Sequence, residues 1–247
     1  MSVGRSFQNT SLLFSKKEFI KFKNSKVGII GLGGVGSWAA EALVRSGLKK
    51  IVLIDPDNIF ESNINRQSQA YKSTLGLPKV SAISKILIDI NPDLQINHHE
   101  TFFSEENANL ITELEKADFW IDACDDLKAK TSLILNFFNT PNKNYFLVCG
   151  GAGGKTDPLS VVQCDLSETM QDPLLAKLRY KLRKNYGFPR KGKMKIPCIS
   201  SSQNIKKNIS QKTTKLSCSG YGSIVTVTAT MGLVAASYTI KKLTQQE

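Results

Sequence analysis

A run of glycines set between a strand-like and a helix-like segment restricts this chain more than any other feature. Val27-Gly28-Ile29-Ile30 precedes Gly31-Leu32-Gly33-Gly34-Val35-Gly36-Ser37, and Trp38-Ala39-Ala40-Glu41-Ala42-Leu43 follows. The glycines therefore sit where a strand turns into a helix, with backbone N–H groups and the helix dipole aimed at an anion. Such a turn implies a parallel α/β sheet carrying a nucleotide phosphate over a helix start. It leaves dinucleotide enzymes and several ATP-using families equally open, because the motif alone fits both.

The rest of the chain agrees with that fold class. Apolar, β-rich runs over 26–31, 50–55, 94–98, 119–122 and 145–149 alternate with helix-like segments. This is the pattern of a Rossmann-like, doubly wound, mostly parallel sheet. Val80, Ile83, Ile86, Leu87 and Ile90 recur at helical spacing before Pro92, and 128–138 reads as a second helix. A glycine-rich loop, 150–154, is followed by a further strand over 159–164. The expected organisation is an N-terminal arm over 1–25 and an ATP-binding core over 26–164. A basic insertion with a C-terminal helical region, 165–247, is integrated with that core.

Polar residues beyond the glycine loop separate the candidates. Asp55 ends the second strand, 19 residues after Gly36, where a carboxylate accepts hydrogen bonds from ribose hydroxyls. A dehydrogenase and an ATP enzyme would both use it. A simple dinucleotide site does not need Ser62-Asn63-Ile64-Asn65-Arg66-Gln67, nor Lys79 in Gly76-Leu77-Pro78-Lys79. Two cations and several amides there suit a triphosphate whose charge is balanced as pyrophosphate leaves. Asp122 and Asp125 close the fourth strand, at the end where such sheets bind ligands. A carboxylate at that position suits magnesium, which prefers oxygen ligands shared with phosphates.

Charge and cysteine usage narrow the setting. Thirty-three basic against 21 acidic residues give a formal charge of +12, which favours a polyanionic partner such as RNA or ATP. Nine lysines and arginines fall between 177 and 195 with no acidic residue among them, and Tyr180, Tyr186 and Phe188 are interleaved. This segment reads either as an RNA surface, with aromatics stacking on bases, or as a solvated helix followed by a mobile loop. Five widely spaced cysteines without a C-x-x-C pair argue against a disulfide framework or zinc ribbon and for a reducing, cytoplasmic setting. Residues 1–7 contain no apolar core of signal-peptide length, so export is not expected. The uncharged segment 220–240 is long enough to span or touch a membrane, but its serines, threonines and glycines fit a closely packed core helix better.

Taken together, Gly-x-Gly-Gly-Val-Gly-Ser, Asp55, the Ser-Asn-x-x-Arg-Gln element, Gly-x-Pro-Lys and Ala123-Cys124-Asp125 resemble the adenylating domain of the ubiquitin-activating-enzyme-like HesA/MoeB/ThiF superfamily. The resemblance implies that Asp55 holds the ribose and that Arg66 and Lys79 contact phosphates, with Asn63 and Gln67 in support. Asp125 serves magnesium and the reaction. The second half, with Cys149-Gly150-Gly151-Ala152-Gly153-Gly154-Lys155-Thr156-Asp157-Pro158, Gln171-Asp172-Pro173-Leu174 and Cys218-Ser219-Gly220-Tyr221-Gly222-Ser223, is similar to the tRNA threonylcarbamoyladenosine dehydratase branch. That branch implies adenylation of the threonylcarbamoyl carboxylate beside the anticodon, attack by a nitrogen of the same group, ring closure and release of AMP. It further implies a homodimer, potassium or sodium as an additional cation, and a link to a cysteine desulfurase and its sulfur acceptor.

Three points remain open at the level of sequence. Cys218 precedes the 220–240 helix, where a helix N-terminus could lower its pKa, yet a small buried packing residue explains it equally. The family's N-terminal Phe-Gly-Gly-x-x-Arg-Leu-x-Gly aligns with Phe7 to Ser15, which puts Leu12 where an arginine commonly reaches ATP from the other subunit. Arg5 and Lys16 are the nearby candidates for that role. Two competing readings are a sulfur-transfer adaptor that binds a desulfurase and an NAD-dependent dehydrogenase. The dehydrogenase has no use for Asn63 to Lys79 and lacks a catalytic histidine at the site, since His98 and His99 follow a different strand.

Overall fold

The computed structural model describes residues 5–138, 145–205 and 221–245. Seven strands form one sheet: β1 (Lys26–Ile30), β2 (Lys50–Ile54), β3 (Gln95–His99), β4 (Phe119–Asp122), β5 (Tyr145–Cys149), β6 (Val161–Asp165) and β7 (Pro197–Ser201). Their order is β3-β2-β1-β4-β5-β7-β6, parallel throughout except for the antiparallel β6–β7 pair. The described helices are α1 (Gln8–Ser11), α2 (Lys16–Asn24), α3 (Gly36–Arg45), α4 (Lys79–Ile90), α5 (Ala108–Glu115), α6 (Leu127–Phe138), α7 (Pro173–Asn185) and α8 (Val225–Thr244).

Strands β1, β2 and β4 are apolar on both faces because helices cover both faces, as buried parallel strands require. Ile29, Ile51, Leu53 and Ile121 pack with α2, α3, α4 and α8 into one core. Their neighbours Ile30, Val52, Ile54 and Trp120 point the other way, into a second core with α5, α6 and α7. Helix boundaries follow local chemistry. Ser15 accepts from Glu18 N while the Glu18 carboxylate accepts from Ser15 N, a capping box that starts α2. Asp172 caps α7 through Leu174 N and Leu175 N, with Pro173 at the first helical position, a cap of about 1 kcal/mol.

Three segments differ from the sequence expectation. The strand expected over 159–164 begins as a 3-10 turn, Pro158–Ser160, because Asp157 caps Leu159 N and proline fixes the turn; β6 then runs antiparallel. Strand β7, with proline and two serines, carries no strand pattern, yet Ser200 and Ser201 are buried. Ser200 Oγ donates to Asp172, and the Ser201 carbonyl accepts from Lys155 Nζ at 2.8 Å, which satisfies a strand read as polar. The sheet thus takes strands from both sides of residue 165.

The basic segment 177–195 divides. Leu178 and Leu182 bury one face of α7, and Phe188, Met194 and Ile196 anchor the following loop. Phe188 lies edge-on to Phe138 at 4.8 Å, and the Arg179 guanidinium donates to Leu166 O, Thr169 O and Thr169 Oγ1. Phe188 and Arg179 are therefore structural, and the loop is pinned to the core. Tyr180 and Tyr186 stay exposed.

Helix α8, uncharged up to Lys241, lies against α3, α2 and the sheet, burying Val227, Met231, Ala235 and Leu243. Thr230, Thr239 and Thr244 return their hydroxyls to carbonyls four residues back, so burial leaves no unpaired donor there. No described helix is long and apolar enough to cross a membrane.

Candidate functional site

A cleft of about 670 Å3 opens at the carboxyl ends of the central strands. The chain proceeds outward from β1 through β2 to β3 on one side and from β4 to β5 on the other. The cleft lies at this reversal, the switch point where doubly wound sheets hold ligands.

The glycine loop forms its floor. Gly31 has φ +87°, a left-handed conformation, and a side chain there would meet the Cys124 backbone; Gly36 leaves no room for a Cβ because the Gly31 carbonyl lies against it. These contacts draw the loop onto the start of α3 and leave Gly33 and Gly34 on the cleft surface. Asp55 fixes the loop from below, accepting Leu32 N at 2.6 Å on one oxygen and Asp57 N at 2.9 Å on the other. Burial pushes the Asp55 carboxyl above its usual range, opposed by the charge of Lys79 and by these two N–H groups.

Lys79 opens α4 and is itself buried. Its Nζ lies 2.7 Å from Asp57 Oδ2 and 3.5 Å from Asp55 Oδ1. The Asp57 side chain is half exposed, so phosphate oxygens entering the cleft can compete for the ammonium. Beside it, 62–67 folds as a tight wall. Asn63 Oδ1 accepts Phe60 N at 3.0 Å, Arg66 donates to Ser62 O and Asn65 Oδ1, and Trp38 Nε1 holds the Arg66 carbonyl. Asn65 reaches Ser223 O at 2.8 Å, tying this wall to the approach of α8. Asn63, Arg66 and Gln67 all line the cleft.

The opposite side is built on β4, β5 and α7. Asp125 is exposed on the cleft wall, whereas Asp126 spends an oxygen capping Ala129 N at 2.7 Å. Gly150, Gly151 and Gly153 line the rim, and Gly151 N donates to Asp172 Oδ2 at 2.9 Å. Lys155 lies fully inside the fold with its ammonium pKa lowered by burial, the Asp172 charge opposing.

Of the residues expected at the site, Gly31, Gly33, Gly34, Asp55, Asn63, Arg66, Gln67, Lys79 and Asp125 converge on this cleft. Gly36 supports it from the first turn of α3. Asp122 does not line it: the carboxylate is 1% exposed and bound 3.0 Å from Lys130 Nζ, which also donates to Cys149 O. Burial alone would lower the Lys130 pKa, but the Asp122 charge holds its ammonium above the usual lysine range. Asp122 therefore belongs to a sealed ion pair under the floor. Cys218 lies outside the described residues. Arg5, Leu12 and Lys16 do not line the cleft of their own chain.

Asp57, Lys128, Thr228 and the wall from Thr101 to Glu106 also line the cleft, and sequence reasoning missed them; Lys181, expected on the basic segment, lines it as well. Lys130 carried a signal. It falls on the apolar stripe of α6 with Leu133, Ile134 and Phe137, where a lysine needs a buried partner.

Among the described residues no group of three or more His, Cys, Asp or Glu side chains could hold a metal. Asp125, an exposed carboxylate on the cleft wall, could contribute to a magnesium site in the manner of nucleotide sites, one carboxylate with the remaining ligands from phosphate and water. Burial holds the Cys124 and Cys198 thiols well above the usual thiol range, raises Cys164, and pushes Cys149 up to about 12.

Comparison with known proteins agrees with this geometry. The ThiF family model matches residues 7–247. The tRNA threonylcarbamoyladenosine dehydratase of Haemophilus influenzae is 38% identical over 249 residues, covering 98% of this chain and 94% of the relative. Crystal structures of Escherichia coli tRNA N6-threonylcarbamoyladenosine dehydratase, TcdA, in complex with ATP and with AMP superpose with TM-scores of 0.87 and 0.86. Each is 34% identical and covers 96% of this chain and 93% of the relative.

Proposed function

The chain belongs to the ThiF family, and from that premise we propose that it is an ATP-dependent tRNA threonylcarbamoyladenosine dehydratase. The observation that carries this reading is the meeting of Asp55, Arg66, Lys79 and Asp125, from four separate segments, in one cleft at the switch point. Relatives over nearly the full chain carry that activity in their names, and one of them binds ATP and AMP.

In this reading the N–H groups of the glycine loop face the phosphates, and the Asp55 carboxylate takes the ribose hydroxyls. Arg66 and Lys79 offset the negative charge that grows on the departing pyrophosphate as the substrate carboxylate attacks the α-phosphorus. Asp125 holds magnesium, which neutralises phosphate charge when bound. A nitrogen of the threonylcarbamoyl group then attacks the mixed anhydride, the ring closes, and AMP leaves with the oxygen of the former carboxylate. Because nucleophile and electrophile share one molecule, much of the entropic barrier is already removed. No step needs a thiol.

We further propose a homodimer, in which the exposed Leu12 and Leu13 are covered and Arg5 or Lys16 reaches the partner's cleft. Potassium or sodium as activator, a desulfurase partner and a cytoplasmic location complete the reading. The central test mixes the protein with ATP, magnesium, potassium and tRNA bearing threonylcarbamoyladenosine, followed by mass spectrometry of the nucleosides. The expected result is loss of one water from that nucleoside with equivalent AMP. Absence of both rejects the reading.

A further inference from the structure

A second cavity of about 370 Å3 lies between α5, α6 and α7, within the range of roughly 300–1,000 Å3 usual for ligand pockets. It is an annex of the nucleotide cleft, because Glu105, Lys128 and Lys181 line both. The two lysines form the threshold. Lys128 stands on the first turn of α6 and Lys181 in the middle of α7. Neither is in any salt bridge or side-chain hydrogen bond found among the described residues. Lysines elsewhere around the cleft are committed: Lys79 to Asp57, Lys130 to Asp122, Lys155 to Ser201 O. Deeper in the annex stand Tyr186, at the end of α7 and 41% exposed, and the polar edges of Asn109, Glu113 and Asn136. Asn136 donates to Thr112 Oγ1 through its amide nitrogen, which leaves its carbonyl oxygen to face a ligand.

We propose that this annex seats the nucleotide adjoining the modified adenosine in the tRNA strand. The phosphate linking the two nucleosides sits between Lys128 and Lys181 at the threshold, and the neighbouring base enters against the Tyr186 ring. The chemistry matches part by part. Two uncommitted cations meet a backbone anion. An exposed aromatic ring at the end of a helix meets an unstacked base, the form in which single-stranded RNA is read. Carboxylate and amide acceptors suit the exocyclic amine of that base. The lining shared by the two cavities lets one strand place its modified base over the ATP phosphates and its neighbour next door. The annex thereby positions substrate rather than reacting with it.

This inference rests on tRNA being the substrate. Steady-state turnover of the modified tRNA is measured for the wild-type protein, Lys128→Ala, Lys181→Ala, Tyr186→Ala and Tyr186→Phe, varying tRNA at saturating ATP and ATP at saturating tRNA. KM for tRNA should rise roughly tenfold for each lysine variant, the loss of one charge-assisted contact. The slope of log KM against log salt should fall by about 0.7 per lysine. Tyr186→Ala should raise KM for tRNA roughly fivefold or more while Tyr186→Phe retains the wild-type value, since stacking needs the ring and not the hydroxyl. KM for ATP should stay as in the wild type for both Tyr186 variants, since Tyr186 lines the annex and not the nucleotide cleft, and the thermal midpoint should stay in all four, which separates positioning from misfolding. Unchanged KM for tRNA in all variants, or a rise in KM for ATP instead in the Tyr186 variants, overturns the annex assignment alone. Failure of the wild-type protein to dehydrate the tRNA overturns the functional reading with it.

Discussion

Two lysine–aspartate pairs stand at the carboxyl ends of strands two apart in the sheet, Lys79 with Asp55 and Asp57 after β2, and Lys130 with Asp122 at the end of β4. Their chemistry is the same and their access differs. Lys79 looks into the cleft, and one of its partners is half exposed, so its charge is available to an incoming anion. Lys130 and Asp122 are 0% and 1% exposed at the side chain; the Cys149 carbonyl accepts from Lys130, the Cys124 thiol and N–H donate to Asp122 Oδ1, and Asp122 Oδ2 is buried without a hydrogen-bond partner among the described residues. The open pair can exchange a carboxylate for a phosphate; the sealed pair cannot exchange anything. A charged pair at a ligand-binding strand end is therefore functional or structural according to whether solvent reaches it, which spacing along the chain does not reveal.

That contrast can be broken most forcefully at the sealed pair. Lys130→Met leaves the Asp122 charge buried without a cation and should cost about 3–5 kcal/mol of unfolding free energy. Urea denaturation measures this, and a loss under 1 kcal/mol would mean that water reaches Asp122 after all. Adding Asp122→Leu to that variant should recover most of the stability, because both charges are then gone.

At the open pair the larger effect moves to chemistry. Lys79→Ala should slow AMP formation by about 10²–10³-fold, the scale for losing one group that stabilises transition-state charge. Arg66→Ala should fall in the same range with its unfolding midpoint preserved. Wild-type turnover in both would detach this wall from the reaction.

A smaller effect follows from pH. The folded-state pKa of Asp55 is raised, chiefly by burial, so the folded state holds that proton more tightly than the unfolded chain. Asp55 therefore loses stability for the fold as pH climbs from the unfolded value through the raised folded value, and above it the loss is complete. Relative to wild type, Asp55→Asn should gain stability with rising pH across that window while its ATP affinity falls. Thermal midpoints between pH 3 and pH 7 would read the slope, and a difference that stays flat would contradict it.

The smallest change is expected at Cys124, whose thiol donates to Asp122 at 3.0 Å. Cys124→Ser keeps a donor in place, so stability should move by less than about 1 kcal/mol and turnover not at all. A collapse in turnover would bring thiol chemistry back into consideration.

Much of the fold could be read from the chain. Strands β1 to β5 fall within a residue of their expected bounds; in β1, β2 and β4 the apolar runs are covered on both faces, which leaves a strong local pattern. Strand β7 was hidden since its buried serines are satisfied by Asp172 and Lys155, partners 28 and 46 residues away. The basic segment misled in the opposite sense: Arg179 and Phe188 look like RNA contacts by composition, yet carbonyls at Leu166 and Thr169 and the ring of Phe138 claim them. Asp122 and Asp125, three residues apart, were indistinguishable in sequence. Strand alternation and the turn after β4 send one down to Lys130 and the other out to the cleft.

The sequence by itself determined a parallel sheet with a phosphate-facing glycine turn, a ribose carboxylate, and a cluster of cations suited to adenylation. These rest on residue type and short spacing, which act locally. Only the tertiary structure decided which charges remain free. Solvent access depends on what distant segments cover, and so it separates Lys79 from Lys130, Asp125 from Asp122, and Lys128 on the cleft wall from Lys130 two residues on, sealed beneath it.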